Sequence, residues 1–228
     1  LHLTDMENSF EAGRVILIDK PLHWTSADVV KKIRNLVKVK CGHAGTLDPL
    51  ATGLLILCTG KFTKKISEYM NREKEYTGTF TLGATTVSYD LENEPENVKD
   101  FSGVSDAQLQ QTAKLFMGEI MQMPPAYSAI KKDGKRAYDL ARQGKSVILE
   151  PRKISIREFE MSAAHLPVID FRVVCSTGTY IRSLAHDVGA ALGCGAYLSK
   201  LCRTRIGEYT LDEALTMEQA VEKFKMDN

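Results

Sequence analysis

Residues 42–53 read GHAGTLDPLATG, and this stretch decides how the rest of the chain is interpreted. It contains three glycines, one proline, one histidine and one carboxylate, and apolar runs lie on both sides of it. Loops of this composition hold functional groups on a rigid scaffold. Two roles are open for Asp48: it is a functional carboxylate, or it is the N-cap of a helix whose first residue is Pro49. The stretch is not a P-loop, because the Gly-Lys-Ser/Thr ending is missing.

The segments that flank this loop predict strands and helices. Continuous apolar runs mark buried strands, a period of about 3.6 marks a helix, and a period of two marks a half-buried strand. The run at 14–19 (RVILID) is of the first kind, and the residues after Ser26 are of the second. The predicted strands are 14–19, 54–58, 75–82, 154–161, 168–175 and 197–206. The predicted helices begin at caps on Ser26, Ser105 and Thr216 and also cover about 63–70 and 180–192; 41–53 is a loop and 131–135 a hairpin turn.

The order of these elements predicts the fold class. The strands follow one another mostly as hairpins, with helices interspersed, and do not alternate strictly with helices. We therefore expect an α+β fold with a mixed, mainly antiparallel sheet flanked by helices. The predicted organisation is an N-terminal extension at 1–12, expected to be flexible, and one catalytic domain at 13–228, with an inserted excursion at 124–145.

Composition excludes several classes of protein. Hydrophobic residues make up 43% and charged residues 26%, as in ordinary globular domains, and no apolar run is long enough to cross a bilayer. The first eleven residues do not resemble a secretory signal. The five cysteines form no C-x-x-C pair and the histidines no H-x-x-x-H pair, which argues against a disulfide framework and against a metal site. A reducing, cytoplasmic location fits best.

The charge is segregated along the chain although the net charge is only +1. Residues 31–40 carry five bases and no acid, and residues 131–145 carry six bases against two acids. Residues 90–100 offset this positive charge, with five acids and one lysine. This distribution suits a protein with one basic face for a polyanion. The alternative is that each block is an ordinary solvated surface.

Six segments, taken in order, carry a resemblance to a known family. They are DKP (19–21), GHAGTLDPLATG (42–53), KEYTGTFTLG (74–83), MPPAYSAIKKDGKRAYDLARQG (123–144), GTYIRSLAHDVG (178–189) and LCRTRIG (201–207). Together they resemble the TruB-type tRNA pseudouridine-55 synthases over about residues 13–216. The resemblance implies an isomerase that detaches uracil from its ribose at N1, turns the base and rejoins it through C5. It implies no cofactor and no metal.

The resemblance also assigns roles to individual residues. Asp48 matches the catalytic aspartate, which attacks C1′ or takes a proton from C2′; the sequence does not choose between the two. Tyr76 matches the tyrosine that lies against the target base and assists removal of the C5 proton. Arg182 matches the arginine that pairs with the catalytic carboxylate. The remaining matches are His43, Tyr180 and Leu201, which line the nucleotide pocket, and Lys20 and Pro21, which buttress the active-site loop.

Structural alternatives stand beside these roles. Tyr76 falls on the same side of its strand as Phe80, where an aromatic ring is usually plain core packing. Arg182 lies at the border of an apolar helix face, and a surface arginine is the alternative. His43 would stack on bases exposed by an extruded nucleotide, or it is a structural histidine.

The expected partner is the T-arm of tRNA, bound by a monomer. The target nucleotide has to be extruded from its loop. Phosphates would be held by the helix at 31–40, the excursion at 131–142, and Lys200, Arg203 and Arg205. Only 21 residues follow Gly207, so we expect no C-terminal PUA domain.

Two other functions compete with this interpretation. A protein that grips the T-arm and helps it fold would need the same basic surface but no chemistry. A glycoside-cleaving enzyme usually needs two opposed carboxylates, and the sequence offers one in a plausible site.

Overall fold

The computed structural model describes residues 9–128, 130–132 and 134–226. The first half of the chain contains β1 (Val15–Lys20), α1 (Ser26–Val37), β2 (Cys41–His43), β3 (Ala51–Thr59), a 3₁₀ turn (Gly60–Lys65), α2 (Ile66–Met70), β4 (Lys74–Leu82) and α3 (Asp106–Leu115). The second half contains β5 (Gly118–Gln122), β6 (Lys131–Lys132), β7 (Lys135–Arg136), α4 (Ala137–Arg142), β8 (Arg152–His165), β9 (Val168–Cys175), α5 (Ile181–Leu192), β10 (Ala196–Ile206), β11 (Tyr209–Thr210), a second 3₁₀ turn (Leu211–Glu213) and α6 (Met217–Met226).

These elements divide into two compact units. One comprises the described residues of 1–76 and 201–228, and the other comprises residues 77–200. Strands β4 and β10 contribute residues to both units. The mixed sheet with flanking helices confirms the predicted α+β class.

In the first unit β3 is the central strand. β1 and β2 pair with it antiparallel, and residues 201–203 of β10 pair with it parallel. Leu55 and Leu57 of β3 pack on one side against α1 and α6. Leu54 and Ile56 pack on the other side against α2. Burial on both faces explains why this strand is a continuous apolar run and shows no alternation.

In the second unit β8 and β9 form a long antiparallel hairpin. β5 pairs with the outer edge of β8, and β4 lies beside β9. Helices α3 and α5 pack against each other, and α3 also packs on β8. Phe80 stacks on Phe171 at a centroid distance of 4.2 Å, with Phe159 6.5 Å away. The predicted inward orientation of Phe80 is therefore confirmed.

Most predicted elements form at the predicted places, but the loop at 41–53 is shorter than expected. Residues 41–43 form β2, and β3 begins at Ala51 instead of residue 54. The Ala51 amide donates to the Asp48 carbonyl at 2.9 Å, which closes a turn that leads directly into a strand. The alternative of Asp48 as a helix cap is therefore wrong. Strand β5 and helix α4 were not predicted from the sequence.

The start of α1 differs by one residue from the prediction. Thr25 is the N-cap: its hydroxyl accepts from the Asp28 amide, and the Asp28 carboxylate accepts from the Thr25 amide. Ser26 was predicted to be the cap, but its hydroxyl is bonded to the backbone of Leu47. The Ser26 side chain, which the local motif predicted as the helix cap, thus bonds to a distant segment instead.

The described end of the N-terminal extension is packed on the first unit. The rings of Phe10 and Phe224 meet edge to face with centroids 5.3 Å apart, and the Thr59 hydroxyl donates to the Phe10 carbonyl at 2.8 Å. Residues 9–12 thus lie against the first unit, residues 1–8 lie outside the described chain, and the flexibility of the extension stays a prediction. Among the described residues, no helix combines the length and apolarity needed to cross a bilayer.

Candidate active site

The backbone around Asp48 is tied down on both sides. On the N-terminal side, the Ser26 hydroxyl accepts from the Leu47 amide at 2.9 Å and donates to the Leu47 carbonyl at 3.1 Å. On the C-terminal side, the His23 amide donates to the Pro49 carbonyl at 2.7 Å. The Asp48 side chain itself is half-buried. The segment that enters α1 therefore fixes the backbone on both sides of Asp48.

A buried arginine holds the same loop from the opposite direction. Arg203 is 1% exposed, and its Nε donates to the Leu54 carbonyl at 2.8 Å. Its two terminal nitrogens donate to Gly45 and Thr46 carbonyls at 3.1 and 3.5 Å. The prediction that Arg203 holds an RNA phosphate is wrong, because its guanidinium is buried and bonds to backbone carbonyls. Arg203 lies two residues after Leu201 and therefore on the same face of the strand. This spacing is the sequence pattern that indicates its burial.

Lys20 lies completely buried at the end of β1. Its ammonium donates to the Trp24 carbonyl at 2.6 Å and to the Pro21 carbonyl at 2.9 Å. Burial lowers the pKa of Lys20 from 10.5 to about 8, the Asp48 charge opposes this shift, and Arg203 adds to it. These contacts hold the segment at 21–24, and the role of Lys20 as a buttress of the active-site loop stays a prediction.

His43 is a half-buried residue of β2, beside the start of the loop. Burial and the nearby Arg203 charge lower the pKa of His43 below its ordinary value of 6.5. The imidazole is therefore predominantly neutral at pH 7. A neutral ring stacks on a nucleobase without the cost of desolvating a cation.

Tyr76 and Leu201 are both buried in the first unit. Each side chain is 8% exposed, Tyr76 on β4 and Leu201 on β10. The inward orientation predicted for Tyr76 is confirmed. Its burial is compatible with core packing and with a platform for a base, so its role stays a prediction.

Tyr180 and Arg182 lie at the start of α5 in the second unit. Tyr180 is the N-cap residue, and its backbone amide and carbonyl both bond to the Gln122 side chain, at 2.8 and 3.0 Å. Arg182 is 6% exposed, donates to the Tyr127 carbonyl at 2.7 Å and has its Nε 3.9 Å from an Asp90 carboxylate oxygen. The alternative of a surface arginine is wrong. Asp90 was not among the predicted site residues.

Comparison with known proteins decides the family. The model described as "TruB family pseudouridylate synthase (N terminal domain)" matches residues 31–181, and the model described as "tRNA pseudouridylate synthase B C-terminal domain" matches residues 182–227. The chain belongs to the TruB family. The resemblance found in the six sequence segments is therefore confirmed.

Full-length relatives in this family are similar over almost the whole chain. A protein named tRNA pseudouridine synthase B from Flavobacterium johnsoniae is 55% identical over 211 residues, which is 89% of this chain and 92% of the relative. One of the same name from Phocaeicola vulgatus is 49% identical over 217 residues, 92% of each chain.

Solved structures show the same fold. A chain in a crystal structure of a Cbf5-Nop10-Gar1 complex is 32% identical, with a TM-score of 0.74 over 95% of this chain. A chain in a structure of an H/ACA RNP bound to a substrate RNA containing 2′-deoxyuridine is 29% identical, with a TM-score of 0.71. This TruB-family chain spans 56% and 55% of those two chains.

In this TruB-family protein the structure groups one part of the predicted site. Lys20, His43 and Asp48 lie in the first unit around Arg203, which influences the pKa values of Lys20 and His43. Tyr180 and Arg182 belong to the second unit, where Arg182 has its own backbone contacts. The pairing of Arg182 with Asp48 stays a prediction.

The Lys20 ammonium gives a prediction about pH. We expect its NMR resonance to titrate with a midpoint near pH 8 instead of 10.5. Between these two values the unfolded chain binds more protons at Lys20 than the folded protein does, so its contribution to the free energy of unfolding rises with pH. Urea unfolding at pH 7.5 and at pH 9.5 should show wild type gaining stability relative to Lys20→Met. A midpoint near 10.5 would contradict the burial of this charge.

Gly53 gives a prediction about stability at the contact of β3 with β10. Its φ is +107°, and a Cβ there would collide with the backbone of Arg203. We expect Gly53→Ala to lower the free energy of unfolding by roughly 2–4 kcal/mol, from backbone strain and steric overlap together. The matched control is Gly193→Ala, at a φ of +80° with open space around it, which should cost about 1–2 kcal/mol. Equal losses in denaturant titrations would argue against the close approach.

Proposed function

We propose that this protein converts the uridine at position 55 in the T-loop of tRNA to pseudouridine, with Asp48 as the catalytic carboxylate. The observation that carries the proposal is the backbone around Asp48, held by hydrogen bonds from Ser26 on one side and His23 on the other, in a chain that matches the family over residues 31–227. A preorganised reactive group of this kind is what an enzyme needs, since a small displacement of such a group costs much of the rate.

The chemistry is an isomerisation and balances without a second substrate. The bond from C1′ to N1 breaks, the uracil turns over, and a bond from C1′ to C5 forms. C5 then loses its proton and N1 gains one, so product and substrate have the same atoms. We expect no cofactor for this reaction.

Asp48 has two possible routes in this reaction, and both need its ionised form. As a nucleophile, the carboxylate forms a bond to C1′ while the C1′–N1 electron pair leaves with the base, and the bond from Asp48 to C1′ breaks when C5 joins C1′. As a base, it removes the C2′ proton while the C1′–N1 bond breaks, and it returns that proton to C2′ when C5 joins C1′. Arg182, as the proposed partner of Asp48, would stabilise the negative charge in either case.

The other predicted residues serve the substrate. Tyr76 would lie against the uracil ring and assist loss of the C5 proton. His43, predominantly neutral at pH 7, would stack where the nucleotide leaves its loop, and Tyr180 and Leu201 would line the nucleotide pocket. Lys20 acts through the loop that it braces, as a positioning residue.

RNA binding would come from the basic segments. The exposed lysines of α1 are available, and Lys131, Lys135, Arg136 and Arg142 line a cleft of about 700 Å³ in the excursion at 124–145. Contacts of this kind hold phosphates. They weaken as the salt concentration rises, because the release of counterions from the RNA then gains less free energy. In this proposal the protein acts as a monomer on tRNA in the cytoplasm.

The deciding experiment uses an unmodified T-arm stem-loop with tritium at C5 of its uridines. Pseudouridine formation releases the tritium, and mass spectrometry maps the modified position. The control RNA carries cytidine at the target position and should release no tritium from it. Binding of the stem-loop without tritium release or pseudouridine would support the RNA-folding protein and refute the isomerase.

A further inference from the structure

A cleft of about 420 Å³ opens on the surface of the first unit, at the entrance to α1. Its volume is in the range of about 300–1,000 Å³ that ligand pockets occupy. It is lined by His23, Trp24, Asp28, Lys31, Lys32 and Asn35. None of these residues belongs to the site predicted from the sequence segments, although Lys31 and Lys32 lie in the basic block at 31–40.

His23 is held in an unusual conformation beside the Asp48 turn. Its side chain is exposed, and its φ is +67°, in the left-handed region that favours glycine. Its amide hydrogen bond to the Pro49 carbonyl, 2.7 Å long, joins it to the residue that follows Asp48. Strained residues of this kind concentrate at binding and catalytic sites. The His23 imidazole is therefore exposed to solvent, and one backbone hydrogen bond joins His23 to the turn that contains Asp48.

The walls of the cleft are fixed and predominantly basic. The Trp24 carbonyl binds the Lys20 ammonium at 2.6 Å, and the Trp24 side chain also packs against the core under α1. Asp28 is the only acid that lines the cleft, and its carboxylate accepts from the Thr25 amide at 2.8 Å in the helix cap. Lys31 and Lys32 are exposed residues of the same lining. The cleft thus combines two aromatic side chains with two cations.

We propose that this cleft is a subsite for the RNA strand next to the target nucleotide. A phosphate would lie between Lys31 and Lys32, and an unpaired base would stack against His23 and Trp24. Aromatic rings beside a positive groove are how proteins hold single-stranded RNA. The proposal rests on the proposed function, because it assigns the cleft to that same substrate.

The first test is His23→Gly, measured as the dissociation constant for the unmodified T-arm stem-loop. Glycine keeps the backbone amide and relieves the positive φ, so the melting temperature should stay the same or rise. Loss of the stacking ring should raise the dissociation constant about fivefold or more. A merely structural His23 predicts an unchanged dissociation constant, and that result would overturn its place in the subsite.

The second test removes the two charges. Lys31→Gln/Lys32→Gln keeps helix propensity, and it should weaken binding about tenfold and lower the slope of log affinity against log salt by about one to two. The matched control is Lys61→Gln/Lys64→Gln, two exposed lysines of the 3₁₀ turn with the same change in net charge. Equal dissociation constants and salt slopes for the two double variants would refute the subsite.

The two proposals fail in different ways. If wild type releases no tritium from the stem-loop, the isomerase is refuted whatever the variants do. If wild type makes pseudouridine while His23→Gly and the α1 double variant bind like the Lys61/Lys64 control, only the subsite is refuted. A larger change in KM than in kcat for Lys31→Gln/Lys32→Gln would support the subsite.

Discussion

Asp48→Asn is expected to reduce pseudouridine formation by about 10⁴-fold or more, because the amide is neither a nucleophile nor a base at this position. Asparagine has nearly the same shape, and the hydrogen bonds that fix the turn are made by backbone atoms of Leu47 and Pro49. The variant should therefore fold, with a slightly lower melting temperature because the buried Lys20 loses a favourable charge interaction. The measurement is tritium release from the C5-labelled stem-loop under single-turnover conditions.

Two controls make this result decisive. Asp212→Asn makes the same chemical change at an exposed position of the same unit and should leave the rate unchanged. The dissociation constant of Asp48→Asn for the stem-loop should stay within a few-fold of wild type, which separates lost chemistry from lost binding. Tritium release by Asp48→Asn at a tenth of the wild-type rate or faster would rule out the carboxylate as the catalytic group.

Arg203→Met is expected to cause the largest loss of stability, about 3–5 kcal/mol, because three backbone carbonyls lose a charged hydrogen-bond donor. Methionine replaces much of the apolar stem, but the carbonyls of Leu54, Gly45 and Thr46 lose their buried donor. A buried carbonyl without a partner costs about 1–3 kcal/mol. The matched control is Arg205→Met, two residues along the same strand, where the arginine is partly exposed and its loss should cost about 1 kcal/mol or less.

Arg203→Lys tests whether Arg203 also positions the Asp48 loop for the proposed reaction. The lysine keeps the charge but cannot span three carbonyls, so the protein should fold while Gly45 and Thr46 become less constrained. A displacement of about 1 Å at the reacting group costs roughly 10²-fold in rate, so kcat should fall much more than KM rises. A kcat equal to wild type in a folded Arg203→Lys protein would confine Arg203 to a structural role.

An electrostatic readout supplements the kinetics. The Arg203 charge lowers the pKa values of both His43 and Lys20. In a folded fraction of Arg203→Met both values should therefore rise, and in Arg203→Lys they should change little. NMR titration of the two side chains measures this directly. A general loosening of the loop would not produce this difference between the two variants.

Lys20 and Arg203 donate hydrogen bonds to backbone carbonyls around the Asp48 loop. Backbone carbonyls that point into the protein need donors, because unpaired buried polar groups are rare in folded proteins. Here two buried cations supply those donors to Pro21, Trp24, Leu54, Gly45 and Thr46. Arg203 of β10 thus holds the Asp48 loop directly, and Lys20 of β1 holds the segment at 21–24 that bonds to this loop.

The sequence by itself determined the fold class, most elements and the family. Apolar period and local capping motifs predicted α1, α3 and β4, because those signals depend on residues within a few positions of one another. The six ordered segments predicted a catalytic role for Asp48, which no periodicity could have distinguished from a helix cap.

Only the tertiary structure decided how that carboxylate is held. Thr25 and not Ser26 caps α1 because Ser26 is bonded to Leu47, which is 21 residues away in the chain. Arg203 is a loop anchor and not a phosphate ligand because its partners lie 149 to 158 residues away. Hydrogen bonds between such distant segments leave no periodic trace in the sequence, so the same serine and arginine admit several roles until the chain has folded.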